Sequence, residues 1–348
     1  MRRLQVVAFA AALLVAGTAA SATWTRGDLP FERVFEIAAH PTLPGIAFAA
    51  TSSGVYRTTD AGLHWEHVSD LNLASFSFNP FRDVEVCARN VFAATCTIDL
   101  GLTWSPLPVP GFTFLLFDRS VADRMYAGPG YGNGWIYVSS DHGKTWTLHG
   151  HTDGQPYIRA QGASDLGSTL YETAWPHGGS STGYLRPLYR SRDGGDTWEA
   201  IPIDGVTYPW EPVGPPNQWI IATDASRRST LYFACCGKLR ASNDGGTTWE
   251  TRGNLQVSAD SLAADPANSA ILYVGGESGS VIQSLDGGWS WRRIDGGQIH
   301  QNPPVVDFYG TDVVYRITVG ADGIAYAATT DAVFTTRSVG HRRAVGRR

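Results

Sequence analysis

Two kinds of short segment alternate along this chain. The first is an apolar strand that ends in a polar or proline turn and is followed by a second apolar strand: IAAHPTLPGIAFAA, FSFNPFRDVEVCA, LLFDRSVADRMYAG, AQGASDLGSTLYET, IATDASRRSTLYFA, LAADPANSAILYVG and YRITVGADGIAYAATT. The second kind follows about twenty residues on and reads Ser/Thr-x-Asp-x-Gly-x-Thr/Ser-Trp. An apolar residue stands five before the Asp in each good copy (Val55, Ala94, Ile136, Leu188, Leu239, Val281). It alternates with polar neighbours as on a half-buried strand.

Six copies of the second segment are clear: Thr58 to Trp65 (with His64 in place of the hydroxyl), Thr97 to Trp104, Ser139 to Trp146, Ser191 to Trp198, Ser242 to Trp249 and Ser284 to Trp291. Their aspartates, 60, 99, 141, 193, 244 and 286, are spaced by 39, 42, 52, 51 and 42 residues. A worn seventh copy, without Asp or Trp, lies at 336–340. The residue types suit a β-turn: Asp accepts backbone N–H groups, Gly takes φ > 0, and the Trp packs between neighbouring repeats. With the paired strands before it, each turn completes a four-stranded unit. Seven units share residues 23–348 at about 47 each, the size of a propeller blade. The expectation is an all-β chain, a single seven-bladed β-propeller of four-stranded antiparallel blades. An N-terminal strand near 31–39 is expected to join the last blade or its neighbour and remove the open edge.

The repeated turn resembles the Asp-box, or bacterial neuraminidase repeat, found in sialidases, sortilin-type receptor domains, xyloglucanases and photosystem II stability and assembly factors. The resemblance covers nearly all of the chain after residue 22 and is strongest to the seven-bladed single-propeller group. It implies that Asp60, Asp99, Asp141, Asp193, Asp244 and Asp286 are structural, each joining the third and fourth strands of a blade, and that ligands meet the opposite face. Most loops assigned to that opposite face are tight. The exceptions, 128–135, 149–157, 172–187 and 204–218, carry Tyr131, Trp135, Tyr157, Trp175, His177, Tyr184, Tyr208, Trp210 and Glu211 in one sector. Aromatic faces beside a few polar groups suit a sugar ring or a protein hot spot.

Charge narrows the partners. Six arginines (2, 3, 342, 343, 347, 348) lie in the two ends, leaving 21 basic against 32 acidic residues over 23–340. Such a body repels phosphate backbones, so nucleic acid is not the expected partner. Arg2 and Arg3, the apolar run Val6 to Ala16 and the small residues Ala20 to Ala22 read as a signal peptide over 1–22, ahead of a propeller at 23–340 and a basic tail at 341–348. Past residue 22 no apolar run approaches a membrane span. Four cysteines fit an oxidising compartment, secreted or periplasmic. Cys87 and Cys96 are placed across a hairpin for a disulfide, whereas the adjacent Cys235 and Cys236 form either a vicinal ring or free thiols.

No metal-ligand spacing appears, His149 and His151 being the most closely spaced pair among nine histidines, and the fold needs no cofactor. No catalytic constellation stands out. The reading is an exported scaffold that binds a protein or glycan through the aromatic sector, in an oligomeric state the sequence does not give. A sialidase-like glycoside hydrolase is the alternative, with Arg159, Glu172, Tyr184, Arg186 and Arg190 as its nearest approximation, and an assembly factor for a membrane or envelope complex is the third class.

Overall fold

The computed structural model describes residues 23–30, 33–90, 93–110, 114–128, 135–151, 154–155, 158–161, 168–173, 175–176, 188–203, 220–227, 229–299 and 313–336. They form seven four-stranded antiparallel sheets and one two-stranded sheet, with no helix among the described residues. Blade one contains Val34–Ala39, Ala47–Thr51, Gly54–Thr58 and Glu66–Ser69 in chain order, and blades two to six repeat that meander. First strands touch one another at the junctions of blades one and two, two and three, four and five, five and six, six and seven, and seven and one, so the first strand is innermost. The proposed signal peptide and basic tail lie outside the described residues.

The seventh blade is built from both ends of the chain. Arg316–Val319, Ala325–Ala328 and Val333–Thr336 are its inner three strands, and Trp24–Arg26 is the outermost. Trp24 pairs with Thr336 and Arg26 with Phe334. The Trp24 indole is buried and donates to Ile294 O at 3.0 Å. This corrects the expected closing strand: the segment near 31–39 instead supplies the first strand of blade one, Val34–Ala39. An apolar pattern marks Val34–Ala39 as buried but does not say in which sheet. The three-residue closing strand, one face of which stays exposed, gives almost no pattern.

Between the blades the core repeats in register. Tyr126, Tyr171, Tyr232, Tyr273 and Tyr326, all fully buried, hold one position on the second strands of blades three to seven, which Phe48 and Cys87 hold in blades one and two. The Tyr126 and Tyr232 hydroxyls donate to Asp118 and Asp224, at the ends of the first strands. Those carboxylates also accept N–H groups of the following turns. Burial, then Asp224, pushes the Tyr232 hydroxyl up to about 12. The apolar residues five before each Asp, Val55 to Val281, are all buried.

The six Asp-centred turns join third and fourth strands, as expected. In each, the leading hydroxyl donates to the carboxylate at 2.6–2.9 Å and accepts the Gly N–H at 2.7–2.9 Å. The carboxylate also accepts the N–H and the side-chain donor of the seventh residue, and the Trp indole donates to the Gly carbonyl at 3.0–3.1 Å. His64 replaces the hydroxyl with Nδ1, 2.5 Å from Asp60. The Gly is required twice over: Gly195 has φ 100°, and a Cβ there would lie 2.0 Å from Ile136 Cδ1 of the preceding blade. Each Trp packs on the preceding blade, Trp104 beside Phe48 and Trp198 beside Tyr126 and Ile136. Arginines brace the same joints: Arg57 donates to Leu100 O at 2.8 Å and Arg252 to Gly287 O at 2.9 Å.

Candidate functional site

The face opposite the Asp-centred turns is formed by the second-to-third-strand hairpins and the blade-to-blade connections. Three first strands enter the ring from this face through a β-bulge, which inserts Phe35 in blade one, Arg159 in blade four and Asp260 in blade six. A bulge re-aims a side chain away from regular alternation, and such bulges concentrate beside functional sites.

Asp260 shows what the bulge does. Its Oδ2 is buried without a hydrogen-bond partner. Burial, with the neighbouring Glu277 carboxylate second, pushes Asp260 up to about 6. Glu277 opens the hairpin between the second and third strands of the same blade and is exposed. Its backbone bridges to Val313, just before blade seven. A desolvated carboxyl that takes a proton near pH 6 donates a hydrogen bond in that form and accepts one when ionised.

At the adjoining junction of blades seven and one, Glu36 is buried against Arg316 in an ion pair. The Tyr315 hydroxyl donates to Val34 O. Burial, then Glu36, raises the Tyr315 hydroxyl. Arg33 is exposed and lies over the Phe35 ring at 5.7 Å. The hydrophobic and polar pattern of the sequence does not single out this charged arc across blades six, seven and one. Its signal, single polar residues in otherwise apolar first strands, does not repeat from blade to blade.

Of the predicted aromatic sector, Tyr131, Tyr157, His177, Tyr184, Tyr208, Trp210 and Glu211 lie outside the described residues. For Trp135 and Trp175 the backbone alone is described. Trp135 pairs with His151, and Gln155 pairs with Trp175 in the two-stranded sheet, which brings the connection after blade three alongside the second-to-third-strand connection of blade four. The cysteine pairs are described. Cys87 and Cys96 stand directly opposite on paired strands and are disulfide-bonded, as expected. Cys235 and Cys236 are bonded to each other at the hairpin tip of blade five. Arg190, a candidate for binding a substrate carboxylate, is buried and engaged with Glu199 and with Gly245 O of the next blade, a brace between blades. His149 is paired with Asp196, and among the described residues no three His, Cys, Asp or Glu side chains converge to hold a metal.

The model of the BNR/Asp-box repeat matches residues 137–148, the Asp-centred turn of blade three with parts of its flanking strands. The chain is a seven-bladed propeller carrying the BNR/Asp-box repeat. It is 26% identical over 251 residues to a xyloglucanase of Paenibacillus sp., a match covering 59% of this chain and 24% of that protein. The propeller therefore aligns with about a quarter of the length of that relative. Among solved structures, that of YCF48 bound to D1 peptide has a TM-score of 0.62 at 16% identity, covering 92% of this chain and 97% of that one. The GH74 enzyme of Niastella koreensis has a TM-score of 0.63 at 16% identity, covering 90% of this chain and 44% of that one. At these identities the likeness to solved structures is one of fold.

Proposed function

We propose that this Asp-box propeller is an exported binding scaffold that recognises a glycan through the face opposite the Asp boxes. The observation that carries the reading is the contrast between the two faces. The Asp-box turns use their polar groups on one another, six times in the same way, whereas the opposite face holds the unpaired oxygen of Asp260 beside exposed Glu277. A neutral, hydroxyl-rich ligand, whose hydroxyls both donate and accept, matches a carboxyl that changes between acceptor and donor near pH 6, and the aromatic residues of the sector, Trp210 foremost, supply faces for sugar rings. The two disulfides and the N-terminal segment support an oxidising location, secreted or periplasmic. The xyloglucanase relative makes β-glucans the first glycans to try.

The test is binding of soluble xyloglucan and an array of other glycans by the mature protein, beside Trp210→Ala and Asp260→Asn. Saturable binding weakened at least about tenfold by Trp210→Ala supports the reading. Silence on every glycan overturns it and turns the search to a peptide ligand, the occupant of the YCF48 structure.

A second reading, glycoside hydrolysis, is favoured by one observation, the poise of Asp260 at about 6 beside a second carboxylate. It predicts release of reducing ends that Asp260→Asn abolishes while binding persists. Binding without cleavage in wild type dismisses it.

A further inference from the structure

The Cys235–Cys236 bond has no structural task that the rest of the molecule leaves undone. The hairpin tip it occupies is a two-residue turn in which Cys236 and Gly237 both take left-handed backbone, φ 56° and 69°. Blade six makes the same turn without sulfur: Ser278 and Gly279 have φ 56° and 64°, closed by Ser280 N–H to Glu277 O at 3.1 Å. A serine therefore suffices at the left-handed position, as the primed hairpin turns allow for small residues. Nor does the bond restrict the unfolded chain, since it joins adjacent residues, whereas Cys87–Cys96 spans a separation of nine and ties two strands in register.

Exposure separates the two bonds in the same sense. Cys87 is completely buried in the cluster between blades two and three. Cys236 is exposed, on the face that carries Asp260 and Glu277, while Cys235 is anchored below it among Leu188, Ile203 and Phe233. One sulfur is reachable by a thiolate and the other is held in place by packing, the arrangement of an exchangeable bond.

We propose that Cys235–Cys236 is a thiol–disulfide exchange site whose co-substrate is a dithiol, arriving at the face opposite the Asp boxes. One thiolate of the dithiol attacks Cys236 Sγ, the bond to Cys235 Sγ breaks, and Cys235 takes up a proton. The second thiol of the dithiol, losing its proton, then attacks its own partner sulfur and displaces Cys236, which is protonated in turn. Two electrons pass from the dithiol to the protein pair; the dithiol leaves as a disulfide, and both cysteines become thiols. The reverse reaction consumes a disulfide of the same class. The reduced pair is also a chelating site for a trivalent arsenical, which condenses with two thiols to a cyclic dithioarsinite and one water.

The experiment uses the full mature protein, oxidised and then exposed to limiting dithiothreitol, with samples trapped by phenylarsine oxide and mapped by mass. The expected result is an arsenical adduct on the peptide holding Cys235 and Cys236, formed at least about 100-fold faster than Cys87–Cys96 opens. Reduction of both bonds together, or of Cys87–Cys96 first, overturns the proposal, as does finding Cys235 and Cys236 as free thiols in the oxidised protein. A Cys235→Ala, Cys236→Ser double variant guards against a purely structural bond. It is expected to give no adduct and to melt within about 2 °C of wild type, because no loop is released. A melting loss as large as that of Cys96→Ser would show that the bond holds the fold, and the proposal would fail. Glycan binding plays no part in these readouts, so the exchange site and the ligand reading stand or fall separately.

Discussion

The two faces of the ring are built by opposite rules. On the Asp-box face six turns repeat one bonding scheme so closely that a histidine in the seventh position reproduces the contact of a hydroxyl. On the other face the described side chains differ from blade to blade even where the backbone repeats: blade one brings Glu36 to a guanidinium of blade seven, blade five a sulfur ring, and blade six a desolvated carboxyl. Repetition holds where every blade faces the same problem of locking onto its predecessor. Variation appears where one blade is free to differ without unlocking its neighbours, and recognition needs that freedom.

The comparison breaks most severely if the ring itself opens. Trp24→Ala removes a buried indole and its bond to Ile294 O from the closing strand, at an expected cost of about 3–5 kcal/mol. A lowered denaturation midpoint checks it, and an unchanged one would mean that the last blade holds with three strands.

Next in size is a single Asp-box turn. Burial alone would raise Asp99, but the bonds from Thr103 and Thr97 outweigh it and hold the carboxyl at about 2. Asp99→Ala is expected to cost roughly 2 kcal/mol through those lost bonds. A group lowered in the folded state stabilises above its unfolded value near 4 and loses that contribution as pH falls toward about 2. Asp99→Ala should therefore flatten the acid limb of the melting curve over that window, and an unchanged limb would deny the turn its electrostatic share.

Asp260→Asn tests the opposite face and has the opposite sign. A carboxyl raised to about 6 binds its proton more tightly when folded, so it favours the fold below pH 4 and loses that advantage as pH rises through about 6. The variant is expected to gain on the order of 1 kcal/mol at pH 8, discounted for partial exposure, while ligand affinity falls. A destabilised variant at that pH would place Asp260 among the structural groups.

The smallest effect belongs to His64, whose imidazole is raised by its bond to Asp60. Its contribution is present below about pH 6.5 and is lost as pH rises through the higher folded value. His64→Thr should remove a shallow step in melting temperature above about pH 6.5, read in a pH series, and leave the rest of the profile in place.

What the sequence made legible follows the same division. The blades, the Asp turns, the packing of each Trp between neighbouring blades and the Cys87–Cys96 pair all rest on patterns that recur, so one weak copy is read through the others. Trp24–Arg26 escaped because three residues with one buried side chain carry no period. Asp260 and Glu277 escaped because a bulge sits outside strand alternation and sequence does not announce it. The buried tyrosines recur and were legible in principle, in the dipeptides Leu170-Tyr171, Leu231-Tyr232 and Leu272-Tyr273.

The placement of Trp24–Arg26 also sets an order of events. A chain synthesised or threaded across a membrane from its N-terminal side presents this strand ahead of the other strands of the propeller, and the edge it must cover, Val333–Thr336, emerges after blades one to six. Until then six blades stand with an unsealed gap, and the pairing that seals it is the most distant in sequence, hence slow. Once it emerges, and until its own strand docks, the edge can accept the equivalent strand of another copy. Refolding at high concentration is thus expected to yield strand-exchanged oligomers, and dilution closed single rings.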